Sequence, residues 1–89
     1  MARVLISLKI FPSNVGVSLD ALKREVEKGL PGYASVYKFE EEPIAYGIVA
    51  LIAHILLPED KSGGIEEVEF SLRKIDHVSD FETVMVRRV

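Results

Sequence analysis

The order in which two hydrophobic periods follow one another restricts the fold of this chain more than any other feature of its sequence. Residues 3 to 11 alternate, so one face of a predicted strand carries Val4, Ile6, Leu8 and Ile10. Residues 12 to 16 break this pattern with proline and glycine. Apolar residues then return at helical spacing, at Leu19, Leu22, Val26 and Leu30. The first part of the chain therefore predicts a strand followed by a helix.

This helix has suitable residues at both ends. Ser18 can cap its first turn, and Asp20 suits the positive end of the helix dipole. Gly29 followed by Pro31 predicts where the helix stops.

The remaining sequence predicts two more strands, a helix and a final strand. The second strand runs from about Tyr33 to Glu41, with one face predicted to carry Tyr33, Ser35, Tyr37 and Phe39. Pro43 ends it, and the apolar run from Ile44 to Leu57 predicts the third strand.

A second helix opens at Glu66 and Glu67, with inner positions at Ile65, Val68, Leu72 and Ile75. The last strand is predicted from about Asp80 to Arg88.

Six elements in the order βαββαβ predict an α+β fold, the ferredoxin-like sandwich. Two split β-α-β units with right-handed crossovers interlock in this fold. They form a four-stranded antiparallel sheet with both helices on one face, and the first and third strands are central. The other face of the sheet has no helix to cover it, so it is either solvated or a docking surface.

Length and composition exclude several classes of protein. With 89 residues, 1–89 is predicted to be a single small domain. The absence of cysteine excludes disulfides and thiolate chemistry, and the net charge of −3 disfavours direct nucleic-acid binding. The longest uncharged apolar run, Ile44 to Leu57, is too short for a membrane helix. We expect a cytoplasmic protein with no membrane contact; the sequence leaves its oligomeric state open.

Three groups of polar residues are weak candidates for chemistry. The glutamates Glu40, Glu41 and Glu42 are consecutive, so in a strand they point to alternate faces, and a solvated turn is the favoured interpretation. His54 and His77 have no partner at metal-ligand spacing. Residues 62 to 64, Ser-Gly-Gly, precede a helix but lack the lysine and the glycine pattern of phosphate loops. We therefore expect no metal, no cofactor and no catalytic residue.

Two other features suggest contact with a partner. From the residues alone, Tyr46 and Gly47 predict a half-buried tyrosine beside a bulge glycine. Likewise, Arg87 and Arg88 are typical of charged residues that discourage aggregation at an edge strand. In the predicted topology, however, these arginines lie near Arg3, and Tyr46 lies at the opposite edge, roughly 30 Å away for strands of about nine residues. Such a span suits a macromolecule better than a small ligand.

At these residues the chain resembles the nucleotide-exchange domain of the elongation factor 1-beta family, in its short archaeal form. The resemblance covers essentially the whole chain and is most specific from Pro43 to Ile48, where the family carries a proline, an aromatic between small residues, and Gly-Ile. It implies the ferredoxin-like fold already predicted from periodicity. It also implies binding to elongation factor 1-alpha carrying GDP, and faster GDP release, so that GTP can enter.

The resemblance also implies a partner-binding set. Tyr46 matches the family's aromatic that docks on the GTPase domain, and Arg88 matches the basic residue that disturbs its magnesium site, a role that Arg87 could share. Eukaryotic members carry lysine at the position of Arg88, and a lysine pair at Val49 and Ala50. The predicted partner-binding residues are Pro43, Ile44, Tyr46, Gly47, Arg87 and Arg88.

We therefore interpret the sequence as a guanine-nucleotide exchange factor that makes and breaks no bond itself. The alternative is a ferredoxin-like regulatory domain that binds a small molecule through the uncovered sheet face or the glycine loop. An RNA-recognition module is disfavoured by the acidic balance, although Tyr37 and Phe39 flank Lys38. An acylphosphatase-like enzyme would need an arginine loop after the first strand, and residues 12 to 14 do not supply one.

Overall fold

A computed structural model describes residues 2–60 and 63–89. Its elements are β1 (Arg3–Pro12), α1 (Leu19–Gly29), β2 (Ser35–Pro43), β3 (Val49–Pro58), α2 (Gly64–Arg73) and β4 (Val78–Arg88). The strands form one antiparallel sheet in the order β2-β3-β1-β4. The predicted α+β, ferredoxin-like arrangement is confirmed, with the first and third strands at the centre.

The core lies between one face of the sheet and the two helices. Alternate residues of β1 and β3 supply the sheet side, because successive strand residues point to opposite faces. The buried cluster comprises Ile6, Leu8, Ile10, Leu51, Ala53, Ile55 and Leu57 from the sheet, together with Leu22, Val26, Val68, Leu72 and Ile75 from α1, α2 and the residues that follow. We call this the helix face of the sheet and the other its open face.

Local signals placed α1 correctly. Ser18 has extended backbone angles, and its hydroxyl oxygen accepts a hydrogen bond from the amide of Ala21 at 3.3 Å. The helix ends at Gly29 with Leu30 as its C-cap, and the next residue is Pro31.

A bulge in β2 makes the predicted assignment of its faces wrong. Val36 pairs with Ile55 and Lys38 with His54, so Tyr37 has no partner on β3. The extra residue inverts the alternation at this point. Val36 lies opposite the core residue Ile55, and Phe39, beyond the bulge, packs against the core, whereas Tyr37 is mostly exposed.

The third strand starts later than predicted, at Val49 instead of Ile44. Residues 44 to 48 form a turn instead of a strand, because two of them have positive φ. The apolar composition of this segment does not indicate that turn. This difference decides the shape of the candidate site.

Candidate functional site

A tight turn joins β2 to β3 at residues 44 to 48. The amide of Ile48 donates to the carbonyl of Ala45, and the amide of Ile44 donates to the carbonyl of Ile48, each at 2.9 Å. Between them, Tyr46 has φ of 54° and Gly47 has φ of 79°. Two successive positive φ angles are the signature of hairpin turns whose twist matches that of the strands.

The turn holds Tyr46 in an unfavourable backbone conformation. Among the described residues it is the one non-glycine residue with positive φ, a conformation that costs a residue with a Cβ about 1–2 kcal/mol. Its side chain is 96% exposed, so no internal contact of the ring offsets that cost. The expectation of a half-buried tyrosine is therefore wrong, and Gly47 lies in a turn rather than a bulge. Strain of this kind is concentrated at functional sites.

Two further exposed apolar residues lie at this end of the molecule. A Cβ on Gly47 would lie 3.8 Å from Cγ1 of Val15, so the β1–α1 loop approaches the turn closely. Val15 is largely exposed, and Ile44 is nearly half exposed. We call Val15, Ile44 and Tyr46 the turn patch. Pro43, which is also exposed, closes β2 opposite Val49 and leads into it.

The arginines lie at the far end of the sheet. Arg88 pairs with Val4 and Arg87 with Leu5, and the ladder continues to the last residue, where Val89 donates to the carbonyl of Arg3 at 2.9 Å. The chain end is thus held by hydrogen bonds beside Arg3, as the topology predicted.

The two arginines point to opposite faces. Val4 packs against the core, so Arg88 lies on the helix face, whereas Leu5 and Arg87 share the open face with Ser7. Arg88 forms an ion pair with Glu59, in the loop that follows β3. Arg87 makes no ion pair with any described residue. No local pattern predicts the role of Glu59, because this contact depends on the β1–β3 and β1–β4 registers together.

The turn patch and the arginines are separated by the length of β1. The turn precedes Val49, and Leu51 pairs with Ile10 near one end of β1, while Arg88 pairs with Val4 near the other. The rise of a strand, about 3.3 Å per residue, puts the two features roughly 30 Å apart. The longest dimension of the molecule is 42 Å, so they lie close to its two ends.

Comparison with known proteins identifies the family. Residues 5–89 match the family described as the EF-1 guanine nucleotide exchange domain. A protein named elongation factor 1-beta from Sulfolobus acidocaldarius is 43% identical over 86 residues, covering 97% of this chain and 96% of the relative. Its namesake from Methanothermobacter thermautotrophicus is 39% identical over 89 residues, covering 100% of this chain and 99% of the relative. The chain belongs to the EF-1 guanine nucleotide exchange family. Its function is guanine-nucleotide exchange in translation elongation, on a GTPase partner.

A solved structure supports the fold alone. The C-terminal domain of the MgtC protein from Mycobacterium tuberculosis superposes with a TM-score of 0.59 over 98% of this chain and 87% of that domain, at 11% identity. Within the described ranges, no helix is both long and apolar enough to cross a membrane.

The glutamate run of this exchange domain lies in β2, so the expectation of a solvated turn is wrong. Each carboxylate has its own basic partner: Glu41 bonds Lys23 of α1 at 3.2 Å, Glu42 pairs with Lys9, and Glu40 bonds His54 at 2.5 Å. The expected alternation holds, because Glu41 faces α1 while the other two share the open face. No group of three metal-ligating side chains occurs among residues 2–60 and 63–89.

His54 also bonds Ser7, which gives a Ser–His–Glu chain across three strands. Because a carboxylate only accepts, Nε2 of His54 donates to Glu40, and Nδ1 lies at hydrogen-bond distance, 2.7 Å, from the Ser7 hydroxyl. Ser7 is only 2% exposed, and a nucleophile has to reach its substrate. These hydrogen bonds therefore link β1, β3 and β2, and the Ser7 hydroxyl has no access to a substrate.

The other weak candidates remain apart from the site. His77 bonds Glu25 at 2.7 Å, which joins the start of β4 to α1. Gly63 is the N-cap of α2 with φ of 73°. The serine before it, at position 62, lies outside the described residues. That residues 62 to 64 do not form a phosphate-binding loop therefore stays a prediction.

The Glu40–His54 bond predicts an acid-dependent loss of stability. The hydrogen bond from His54 lowers the pKa of Glu40 below its ordinary value of 4.5. A carboxyl group whose pKa is lower in the folded state stabilises the fold at pH values above its unfolded-state pKa. This stabilisation is lost as the pH falls through the folded-state pKa. We expect Glu40→Gln to lower the urea midpoint at pH 7, with a difference from the unmodified protein that shrinks below about pH 4. Glu27→Gln, an exposed change on α1, is the control; equal midpoint losses at pH 7 and pH 3 would contradict the prediction.

Proposed function

We propose that this chain, as a single exchange domain spanning residues 1–89, releases GDP from elongation factor 1-alpha by gripping it at two distant points. The turn patch with Pro43 and Gly47 forms one contact, and Arg87 with Arg88 forms the other. The observation that carries the proposal is Tyr46, an exposed ring on a strained backbone. The relatives' name, elongation factor 1-beta, supports this choice of partner.

Tyr46 has the properties of an anchor. A buried tyrosine removes about 150–250 Å² from water, a gross gain of about 4–6 kcal/mol at the usual coefficient. Most protein contacts lose part of such a gain when they order flexible side chains and loops. Here the turn is already fixed by its two hydrogen bonds, so less ordering is needed when the ring enters a pocket of the GTPase.

Arg88 acts through charge. Magnesium that bridges the nucleotide phosphates is the largest local charge in a GTPase site. A guanidinium brought beside that ion raises the free energy of the metal-bound state. In the free protein Arg88 is held by Glu59 in an exposed pair, worth about 1 kcal/mol or less. Releasing it for the partner therefore costs little.

Exchange follows from differential binding alone. The factor has to bind the nucleotide-free GTPase more tightly than the GDP-bound one, and by reciprocity it then lowers the affinity for GDP by the same factor. No bond is made or broken, so the proposal needs no nucleophile, no cofactor, no nucleic acid and no membrane. We expect the protein to act in the cytoplasm together with its GTPase.

The direct test is a GDP-release assay. Elongation factor 1-alpha loaded with a fluorescent GDP is mixed with excess unlabelled GTP, with and without the chain. We expect the release rate to rise with the concentration of the chain until it saturates. An unchanged rate at saturating concentration would remove the proposal.

Tyr46→Asn separates docking from folding. Asparagine tolerates positive φ better than tyrosine, so we expect the free energy of unfolding to stay the same or to rise slightly. Loss of the ring should lower the exchange rate at subsaturating concentration by about tenfold or more, the loss expected for an aromatic anchor. Tyr37→Asn removes another exposed ring, on β2, and is the control. Equal exchange by both variants would show that Tyr46 is not an anchor.

Arg88→Ala tests the cation. We expect an unfolding midpoint near that of the unmodified protein, since the Glu59 pair is exposed, and saturated exchange slower by about tenfold or more. Arg88→Lys should retain most of the activity because the charge remains. Arg24→Ala, which removes an exposed arginine from α1, is the matched control. Full activity of Arg88→Ala would reduce its role to guarding the sheet edge.

A further inference from the structure

The arginine end of the sheet carries a second basic group, on the face opposite to Arg88. Val4 packs against the core, so its neighbours in the strand, Arg3 and Leu5, point to the open face. Arg87 pairs with Leu5 and therefore shares that face. The backbone of Arg3 pairs with that of the last residue, two positions beyond Arg87. Arg3 and Arg87 are thus diagonal neighbours on two paired strands, with Cβ atoms about 7 Å apart.

Neither of these two guanidinium groups is neutralised by its own chain. No ion pair among the described residues includes Arg3 or Arg87. At the same end of the molecule, Glu59 is bound to Arg88, and Asp60 lines a cleft with Arg3 without forming an ion pair with it. Like charges on neighbouring strand positions repel each other. An anion placed between the two guanidinium groups removes that repulsion and gains hydrogen bonds to both.

The surface around the two arginines is apolar and largely covered. Leu5 is only 8% exposed, although it lies on the open face and outside the core cluster. Its neighbours across the sheet are Leu56 on one side and Arg87 on the other. Arginine stems cover apolar surface of this kind while the charged end stays in water. A stem that is already packed has less rotamer freedom to lose when its guanidinium group binds a ligand.

The surroundings favour a single carboxylate over a long polyanion. Glu40, Glu42 and Glu82 also lie on the open face, and the chain carries a net charge of −3. A nucleic-acid backbone along this face would therefore meet carboxylates as well as arginines, which is unfavourable. One carboxylate fits between two guanidinium groups, because each can donate two parallel hydrogen bonds to it.

We propose that Arg3 and Arg87 together bind an acidic side chain on the surface of the GTPase, in a contact separate from that of Arg88. The inference rests on the proposed function, because it takes the GTPase as the partner. Arg88 approaches the magnesium from the helix face, so the open face of the same strand end meets the protein surface and not the nucleotide. The carboxylate contact adds affinity whether or not GDP is bound.

Binding to two states of the GTPase tests this site. Nucleotide-free and GDP-bound elongation factor 1-alpha are each titrated with the chain at low salt. Arg3→Ala should raise both dissociation constants by about tenfold, because a charge-assisted hydrogen bond is lost, and Arg3→Glu should raise them further. Arg3→Lys should recover most of the loss, since the charge remains. The loss should shrink at high salt. Arg88→Ala, in contrast, should change the two constants by different factors.

The controls separate this site from the rest of the proposed function. Arg24→Ala removes an exposed arginine of α1 that also forms no ion pair with a described residue, and it should leave both constants unchanged. All variants are first compared by urea unfolding, and Arg87→Ala, for which the same loss is expected, keeps the test valid if an Arg3 variant unfolds.

Two results would overturn the inference. The first is an unmodified chain that binds and releases GDP as proposed while Arg3→Ala and Arg87→Ala leave both constants within about twofold of its values. The second is a loss confined to the GDP-bound state, which would identify the anion as a phosphate of the nucleotide. An unmodified chain that neither binds the GTPase nor speeds GDP release would instead remove the proposed function and this inference with it.

Discussion

The pairing of β1 with both of its neighbours is the constraint on which the rest of the molecule depends. Its register with β3 sets where the β2–β3 turn lies, and its register with β4 fixes the last residues beside Arg3. The same strand supplies Ile6, Leu8 and Ile10 to the core. Its length therefore separates the turn patch from the arginines. A partner that contacts both ends therefore has to span the length of this strand, which is paired on both sides.

The two ends solve different physical problems. At one end, a tight turn holds an aromatic ring in water at a cost in backbone strain, and we propose that this ring enters an apolar pocket of the partner. At the other end, a charged side chain is held by an exposed ion pair that is easily exchanged for another. In the proposed mechanism, hydrophobic contact would supply affinity that is independent of the nucleotide, while the cation would act on the metal and so distinguish the nucleotide-bound state from the empty one. This division suits an exchange factor, which has to bind first and then destabilise.

Periodicity in the sequence predicted the element order, the central strands and the N-cap at Ser18, because each depends on short-range patterns. It failed where one residue changes the backbone. The extra residue Tyr37 inverted the faces of β2, and the positive φ of Tyr46 turned a predicted strand start into a turn. The resemblance to the exchange family named Tyr46 and Arg88, but Val15 and Glu59 become neighbours of the site only through long-range registers. Such contacts leave no local signal in the chain.

Hydrogen exchange of the chain, alone and bound to nucleotide-free elongation factor 1-alpha, tests the two-point grip most directly. The account predicts added protection in residues 44 to 48 and 86 to 89, with the amides of α1 and α2 unchanged. Protection confined to the two helices, with the turn and the chain end exchanging as in the free protein, would contradict it.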